Sequence, residues 1–222
     1  MATPTGKRIA LFHATRAAIT PIETAFAEIW PDADHWSLLD EGLTQAVDRA
    51  GGYTQEIEDR FIALANYVAE TGPDALLFTC TAFGPAMEIC QQRFPFPTFK
   101  PNEALLEQGL DAGRRIGLLA SHPVTLPMLT GQLEALAKER GKELTVVPKL
   151  ADGAWNDLTA GRKQAHDDKL LAAADALTDC DAILLAQFSM APLLAAIQAK
   201  TTAPVLSSPH AAAAKLKDLF TT

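Results

Sequence analysis

Along this 222-residue chain, short apolar runs alternate with longer stretches in which apolar residues recur three and four positions apart. Runs of the first kind predict strands and stretches of the second kind predict amphipathic helices, so the alternation predicts repeated β-α units around a mostly parallel sheet. Strands are expected near residues 8–13, 35–39, 75–80 and 97–100, and again near 115–120, 143–148, 182–187 and 204–207. Helices are expected over 20–30, 54–71 and 83–93, then over 124–140, 162–177 and 190–200. Two further helices, 101–113 and 209–220, open on Pro101 and Pro209, which suit a first helical turn because no helical partner awaits an amide hydrogen there.

The two sets of elements echo each other at a constant offset of 107 residues. Arg8-Ile9-Ala10-Leu11 answers Arg115-Ile116-Gly117-Leu118, and Asp74-Ala75-Leu76-Leu77-Phe78-Thr79-Cys80 answers Asp181-Ala182-Ile183-Leu184-Leu185-Ala186-Gln187. Pro85 answers Pro192 and Pro97 answers Pro204 in the same register. A duplication of this kind predicts an α/β protein of two pseudo-symmetric lobes, each a mostly parallel four-stranded sheet flanked by helices. Residues 1–100 are expected to form the first lobe. Residues 101–222 are expected to supply a linking helix and the second lobe, with the C-terminal helix packing back on the first. The echo also sets a thiol, Cys80, against an amide, Gln187.

Composition narrows the function. Hydrophobic residues at 48% and charged residues at 21% are in the range of a soluble globular protein. A formal charge of -8 without any Lys/Arg cluster argues against a nucleic-acid partner. The start, Met-Ala-Thr-Pro-Thr, lacks the apolar stretch of a signal peptide, and no apolar run reaches membrane-spanning length, so a cytoplasmic protein with no membrane partner is expected. Three cysteines without CxxC spacing argue against a disulfide framework and against a zinc site. The absence of GxGxxG and P-loop patterns argues against a nucleotide binder.

Open parallel sheets bind ligands outside the carboxyl ends of their strands, so the polar residues there carry the functional information. The first half offers His13, Thr15, Asp40, Thr79, Cys80 and Thr81; the second offers Ser121, His122, Gln187, Ser189, Ser207, Ser208 and His210. Cys80 precedes a helix, which predicts a thiol acidified by the positive helix end and backbone N–H groups suited to a carboxylate. The competing reading of Cys80 is an inert buried cysteine. Cys90 and Cys180 read as structural, as do Asp74 and Asp181 at the opposite edge of the strands. His13, His122 and His210 are each either a capping or surface imidazole or a proton relay.

With these residues in view, the chain resembles the aspartate/glutamate/hydantoin racemase superfamily over essentially its whole length. The resemblance rests on the duplicated halves, on Phe78-Thr79-Cys80-Thr81-Ala82, on Ile116-Gly117-Leu118-Leu119-Ala120-Ser121 with Thr125 after it, and on Ile183-Leu184-Leu185-Ala186-Gln187-Phe188-Ser189-Met190. It implies two lobes facing each other across a cleft that holds the site, no cofactor, a small carboxylate substrate, and compatibility with a homodimer. It further implies that Cys80 is the catalytic thiol and that Thr81, Ser121 and Thr125 bind substrate, and their strand-end places add His13, Thr15, Gln187 and Ser189 to the expected substrate contacts.

The departure lies at the second cysteine of the family, where this chain has Ala186-Gln187-Phe188. An amide neither gives nor takes a proton at ordinary pH. The expected function is therefore a cofactor-independent enzyme acting at a carbon next to a carboxylate, with Cys80 as sole catalytic thiol, of decarboxylase, lyase or isomerase type. Two alternatives stay open: an amino-acid or hydantoin racemase that uses His210 or His122 as its second acid/base, and a non-catalytic small-carboxylate-binding protein on this scaffold.

Overall fold

The computed structural model describes residues 6–221; the segment Met1–Thr5, read above as free of a signal peptide, lies outside the described residues. The chain divides into two compact units, one made of the residues up to Pro101 together with those from Ala212 onward, the other of Asn102–Ala211.

The first unit contains β1 (Arg8–His13), α1 (Ile19–Ile29), β2 (Asp34–Leu39), α2 (Gly42–Ala50), α3 (Gln55–Glu70), β3 (Ala75–Phe78), α4 (Gly84–Arg93) and β4 (Thr98–Phe99). Its strands form one parallel sheet in the order β2-β1-β3-β4. The second contains α5 (Glu103–Ala112), β5 (Arg115–Ala120), α6 (Thr125–Glu139), β6 (Thr145–Leu150), α7 (Ala154–Thr159), α8 (Lys163–Ala174), β7 (Ala182–Leu185), α9 (Leu194–Gln198) and β8 (Val205–Ser207). Its parallel sheet runs in the order β6-β5-β7-β8. The last helix, α10 (Ser208–Thr221), begins in the second unit and ends in the first. The two four-stranded sheets flanked by helices are the α/β architecture expected from the periodicity.

Burial explains why the central strands read as unbroken apolar runs. Every residue of β3 and of β7 is buried, as parallel strands covered on both faces require. In the second unit Ile116, Leu118, Ala182 and Leu184 pack into one core with α5 and α6, while Leu119, Ile183 and Leu185 pack into another with Leu170, Leu177 and Ile197. In the first unit Phe61 of α3 stacks on Phe12 at 4.7 Å and on Phe83 at 5.0 Å, and lies 5.1 Å from Phe78. That aromatic cluster ties α3 to the ends of β1 and β3. α3 itself starts at Thr54, whose hydroxyl accepts the Ile57 N–H, with Glu56 and Glu58 favourably placed in the first turn.

At the amino ends of the strands a staple recurs in each unit. Asp74 accepts the Arg8 N–H at 2.8 Å, and Asp181 accepts the N–H groups of Arg114 and Arg115 at 2.7 and 2.8 Å. These backbone donors hold both carboxyls below the usual carboxylate range. The structural reading of the two aspartates agrees with this placement.

Three details depart from expectation. The 107-residue offset holds for the register of β3 on β1 and of β7 on β5, since Ile9 pairs with Ala75 and Ile116 with Ala182. It fails for β6, where Thr145 answers Asp34 at an offset of 111, so the expected strand 143–148 lies over 145–150. The expected helix 190–200 is a 3-10 helix over Phe188–Leu193 followed by α9, because Pro192 has no N–H to continue an α-helical ladder. Two short helices, α2 and α7, stand where none was expected, with Leu43 as the fully buried residue of α2.

Candidate functional site

Each of the two paired strand ends opens into the same backbone form. β3 stops at Phe78, and Cys80 sits extended at φ −129°, ψ 127° as the cap of a 3-10 turn, Thr81–Phe83, that leads into α4. β7 stops at Leu185, and Gln187 sits at φ −134°, ψ 145° as the cap of the 3-10 helix Phe188–Leu193. The sequence echo is thus an echo of conformation, with a thiol on one copy and an amide on the other.

Cys80 is half-buried and its side chain makes no capping hydrogen bond. Burial pushes its thiol above the ordinary value, and the Ala82 N–H opposes that shift only in part. The expected acidification is therefore reversed: desolvation of the thiolate outweighs the nearby backbone dipole. Cys90 is fully buried in the first core, and burial raises its thiol to about 11. Cys180 is buried as well.

Around Cys80 the strand ends are laced together. His13 is completely buried, with Nδ1 2.8 Å from Thr79 Oγ1 and Nε2 3.0 Å from Ser37 Oγ. Desolvation lowers the ring to about 4, so it is neutral near pH 7. Expected among the ligand contacts, His13 has both nitrogens engaged by protein hydroxyls. Thr15 is half-buried and caps the 3-10 turn Arg16–Ala18 by accepting the Ala17 N–H, and Thr81 is half-buried beside Cys80.

In the second unit the amide of Gln187 is held by Ser121. Its Oε1 accepts the Ser121 N–H at 2.7 Å and the Ser121 hydroxyl at 3.1 Å. With the carbonyl oxygen fixed, the orientation of the amide is fixed too, and its NH2 group has no acceptor among the described residues. Two residues on, Ser189 Oγ is buried with no partner among the described residues. Thr125 is buried at the start of α6 and donates its N–H to the His122 carbonyl.

The histidines proposed as second acid/base are both half-buried. His122 Nδ1 accepts the Val124 N–H at 3.3 Å, which leaves the proton of the neutral ring on Nε2, and the ring meets Trp155 edge-on at 5.3 Å. His210 Nδ1 lies 2.6 Å from Ser207 Oγ on the first turn of α10.

Sequence reasoning missed Ser37 and Asn102. Ser37 lies inside a strand, not at its end, and Asn102 precedes α5, where its Oδ1 accepts the Ser208 hydroxyl while its buried Nδ2 finds no partner among the described residues. Among the described residues no group of three or more His, Cys, Asp or Glu side chains has metal-binding geometry, and no helix is long and apolar enough to cross a membrane.

Residues 43–216 match the family model described as Asp/Glu/Hydantoin racemase. No curated protein sequence matches the chain. Among solved structures, a glutamate racemase isoform of Bacillus anthracis is similar at 14% identity and a TM-score of 0.74, over 99% of this chain and 83% of its own. An aspartate racemase of Picrophilus torridus aligns at 17% identity, 96% and 94% coverage and a TM-score of 0.69. An allantoin racemase of Pseudomonas fluorescens aligns at 18% identity, 96% and 90% coverage and a TM-score of 0.67. At these identities the likeness is one of fold.

Proposed function

The chain belongs to the Asp/Glu/Hydantoin racemase family, and on that premise we propose that it acts at the carbon next to a carboxylate of a small carboxylic acid, without a cofactor, and that Cys80 delivers a proton to one face of that carbon. The observation that carries this reading is the place of Cys80, half-buried and extended at the cap of the turn that ends β3, with Gln187, which has no proton to exchange, at the matching cap after β7. A thiol raised by burial is an acid at neutral pH, ready to give a proton and poorly suited to abstract one.

The reaction that fits is one in which the carbanion arises by loss of a group. In a disubstituted malonate the bond from the α-carbon to one carboxylate breaks, CO2 departs, and the electron pair enters the remaining carboxylate as an enediolate. Cys80 gives its S–H proton to the α-carbon, and water reprotonates the resulting thiolate. Decarboxylation is thus the leading member of a set that includes elimination and isomerisation of dicarboxylates. Gln187 has no proton to exchange but offers two amide N–H donors at a fixed orientation, suited to an oxygen that gains negative charge. Ser189 contributes a buried hydroxyl nearby in the chain.

The test is proton NMR in deuterated water with amino acids, hydantoins, arylmalonates and small dicarboxylates, comparing the natural protein with Cys80→Ala. The expected result is one substrate class turned over with a single deuteron placed in one enantiomer, lost in the variant. Full turnover by Cys80→Ala overturns the role of Cys80. Deuterium in both enantiomers at comparable rates replaces one-sided protonation with racemisation, and makes His122 and His210 the next residues to vary.

A further inference from the structure

The structure assigns His13 to the support of Cys80, as a positioning residue acting through Thr79. The inference rests on the reading of Cys80 as the reacting thiol, but its evidence is the hydrogen-bond direction around Thr79.

Thr79 Oγ1 lies 3.3 Å from the Phe12 carbonyl oxygen and 2.8 Å from His13 Nδ1. A carbonyl oxygen only accepts, so the one hydroxyl hydrogen of Thr79 goes to Phe12 and its oxygen accepts from His13. Nδ1 therefore carries the ring proton. In the neutral ring Nε2 is then an acceptor, and the Ser37 hydroxyl at 3.0 Å is its donor. The donors run in one direction, from Ser37 of β2 to His13 of β1, on to Thr79 just past the end of β3, and back to Phe12 of β1. Such a chain polarises cooperatively in a buried setting.

The Phe12 carbonyl also accepts the Thr79 N–H at 3.1 Å. Thr79 is thus held by three hydrogen bonds, through its backbone and its side chain, one residue before Cys80. The second unit shows why this is needed. There the residues answering His13 and Thr79 are Ala120 and Ala186, and Gln187 is held instead by its own side chain through Ser121. An amide can be both the working group and its own anchor. A thiol is a weak hydrogen-bonding group that must keep its proton free to leave, so its position has to be set from the neighbouring residue.

The experiment uses two substitutions that divide the ring in half. His13→Asn keeps a donor where Nδ1 stood and loses the link to Ser37; His13→Gln reaches toward Ser37 and loses the donor to Thr79. The readout is the rate of Cys80 alkylation by iodoacetamide at fixed pH, followed by peptide mass spectrometry, beside the thermal midpoint of each variant. His13→Asn is expected to stay within about twofold of the natural protein, and His13→Gln to slow by about tenfold or more as Thr79, and with it the sulfur one residue on, loses its hold, at the lower end of what lost support around a liganding group costs. Thr79→Val is expected to reproduce His13→Gln, and the double variant to add nothing further. Equal changes in the Asn and Gln variants, or midpoints that fall while no alkylation rate moves, overturn the inference. If His13→Gln does not fold, Thr79→Val decides: an unchanged alkylation rate there also overturns it. Because alkylation needs no substrate, these results stand apart from the turnover of Cys80→Ala, which alone decides whether the thiol is catalytic.

Discussion

Replacing Gln187 with Cys would put a thiol on both strand ends, yet the structure predicts that the exchange destabilises the protein. Gln187 Oε1 is the acceptor of the Ser121 N–H at 2.7 Å and of its hydroxyl at 3.1 Å, and Ser121 is 1% exposed. A cysteine side chain ends two bonds earlier, so its sulfur cannot occupy the acceptor position. The Ser121 hydroxyl can rotate toward another partner; the backbone N–H cannot. A buried donor left without an acceptor costs about 1–3 kcal/mol, nearer the lower end if water fills the space vacated by the amide. For a chain of this length each kcal/mol moves the midpoint by about 2–4 °C, which places the expected loss at about 2–12 °C. Urea and thermal denaturation of Gln187→Cys should be compared with Gln187→Glu and Gln187→Met. The glutamate keeps an oxygen for Ser121 and should stay within about 0.5 kcal/mol of the natural protein at pH 7, while the methionine, of similar length but without a strong acceptor, should behave like the cysteine. A cysteine variant as stable as the natural protein would refute the argument, and so would a glutamate variant that loses as much as the cysteine.

Phe61→Ala, which removes the ring shared by Phe12, Phe78 and Phe83, should cost about 3–5 kcal/mol in urea denaturation; a loss under 1 kcal/mol would mean that the cluster repacks freely. Gly109→Ala gains up to about 1 kcal/mol of helix propensity in α5, but its Cβ would stand 2.7 Å from Leu184 Cδ1 and 2.9 Å from Cδ2 in a filled core, a clash worth about 1–3 kcal/mol, so net destabilisation is expected, with partial rescue by Leu184→Val. Cys80 alkylation should keep accelerating as pH rises past 9, because a raised thiol becomes thiolate only there, and turnover that uses the S–H form should fall over that same alkaline range. An alkylation rate already level at pH 7 would contradict the buried, protonated thiol.

What the sequence disclosed and what it hid follow from how far each contact reaches along the chain. β1, β3, β5 and β7 are legible because burial on both faces leaves unbroken apolar runs, and their 107-residue echo is legible because the registers Ile9–Ala75 and Ile116–Ala182 repeat it. The edge strand β6 is only partly buried and carries a weaker pattern, one that points two residues ahead of where the strand lies. α2 is short and buries few side chains, too few to mark a periodicity. The strand-end place of Cys80 is local information and can be read directly. The acidity of its thiol is not, because the favourable backbone dipole is written in the neighbouring residues while the larger desolvation depends on whatever packs around the sulfur. Likewise His13 is separated from Thr79, and Ser121 from Gln187, by 66 residues. Polar residues at strand ends look alike in sequence whether they meet a ligand or each other.

The interrupted path of the chain through its two units has a consequence for synthesis. The second unit is continuous, Asn102–Ala211, whereas the first is completed by residues from Ala212 on, where Lys217 donates to the Ile29 carbonyl at 2.8 Å and Phe220 stacks on Trp30 at 6.0 Å. On a ribosome, the first residues to emerge must therefore wait for the last turns of α10, while the intervening unit has all its parts and can finish ahead of them. The unit whose strand end carries Cys80 gains its last contacts only once α10 is made, whereas the other has all its parts in one stretch.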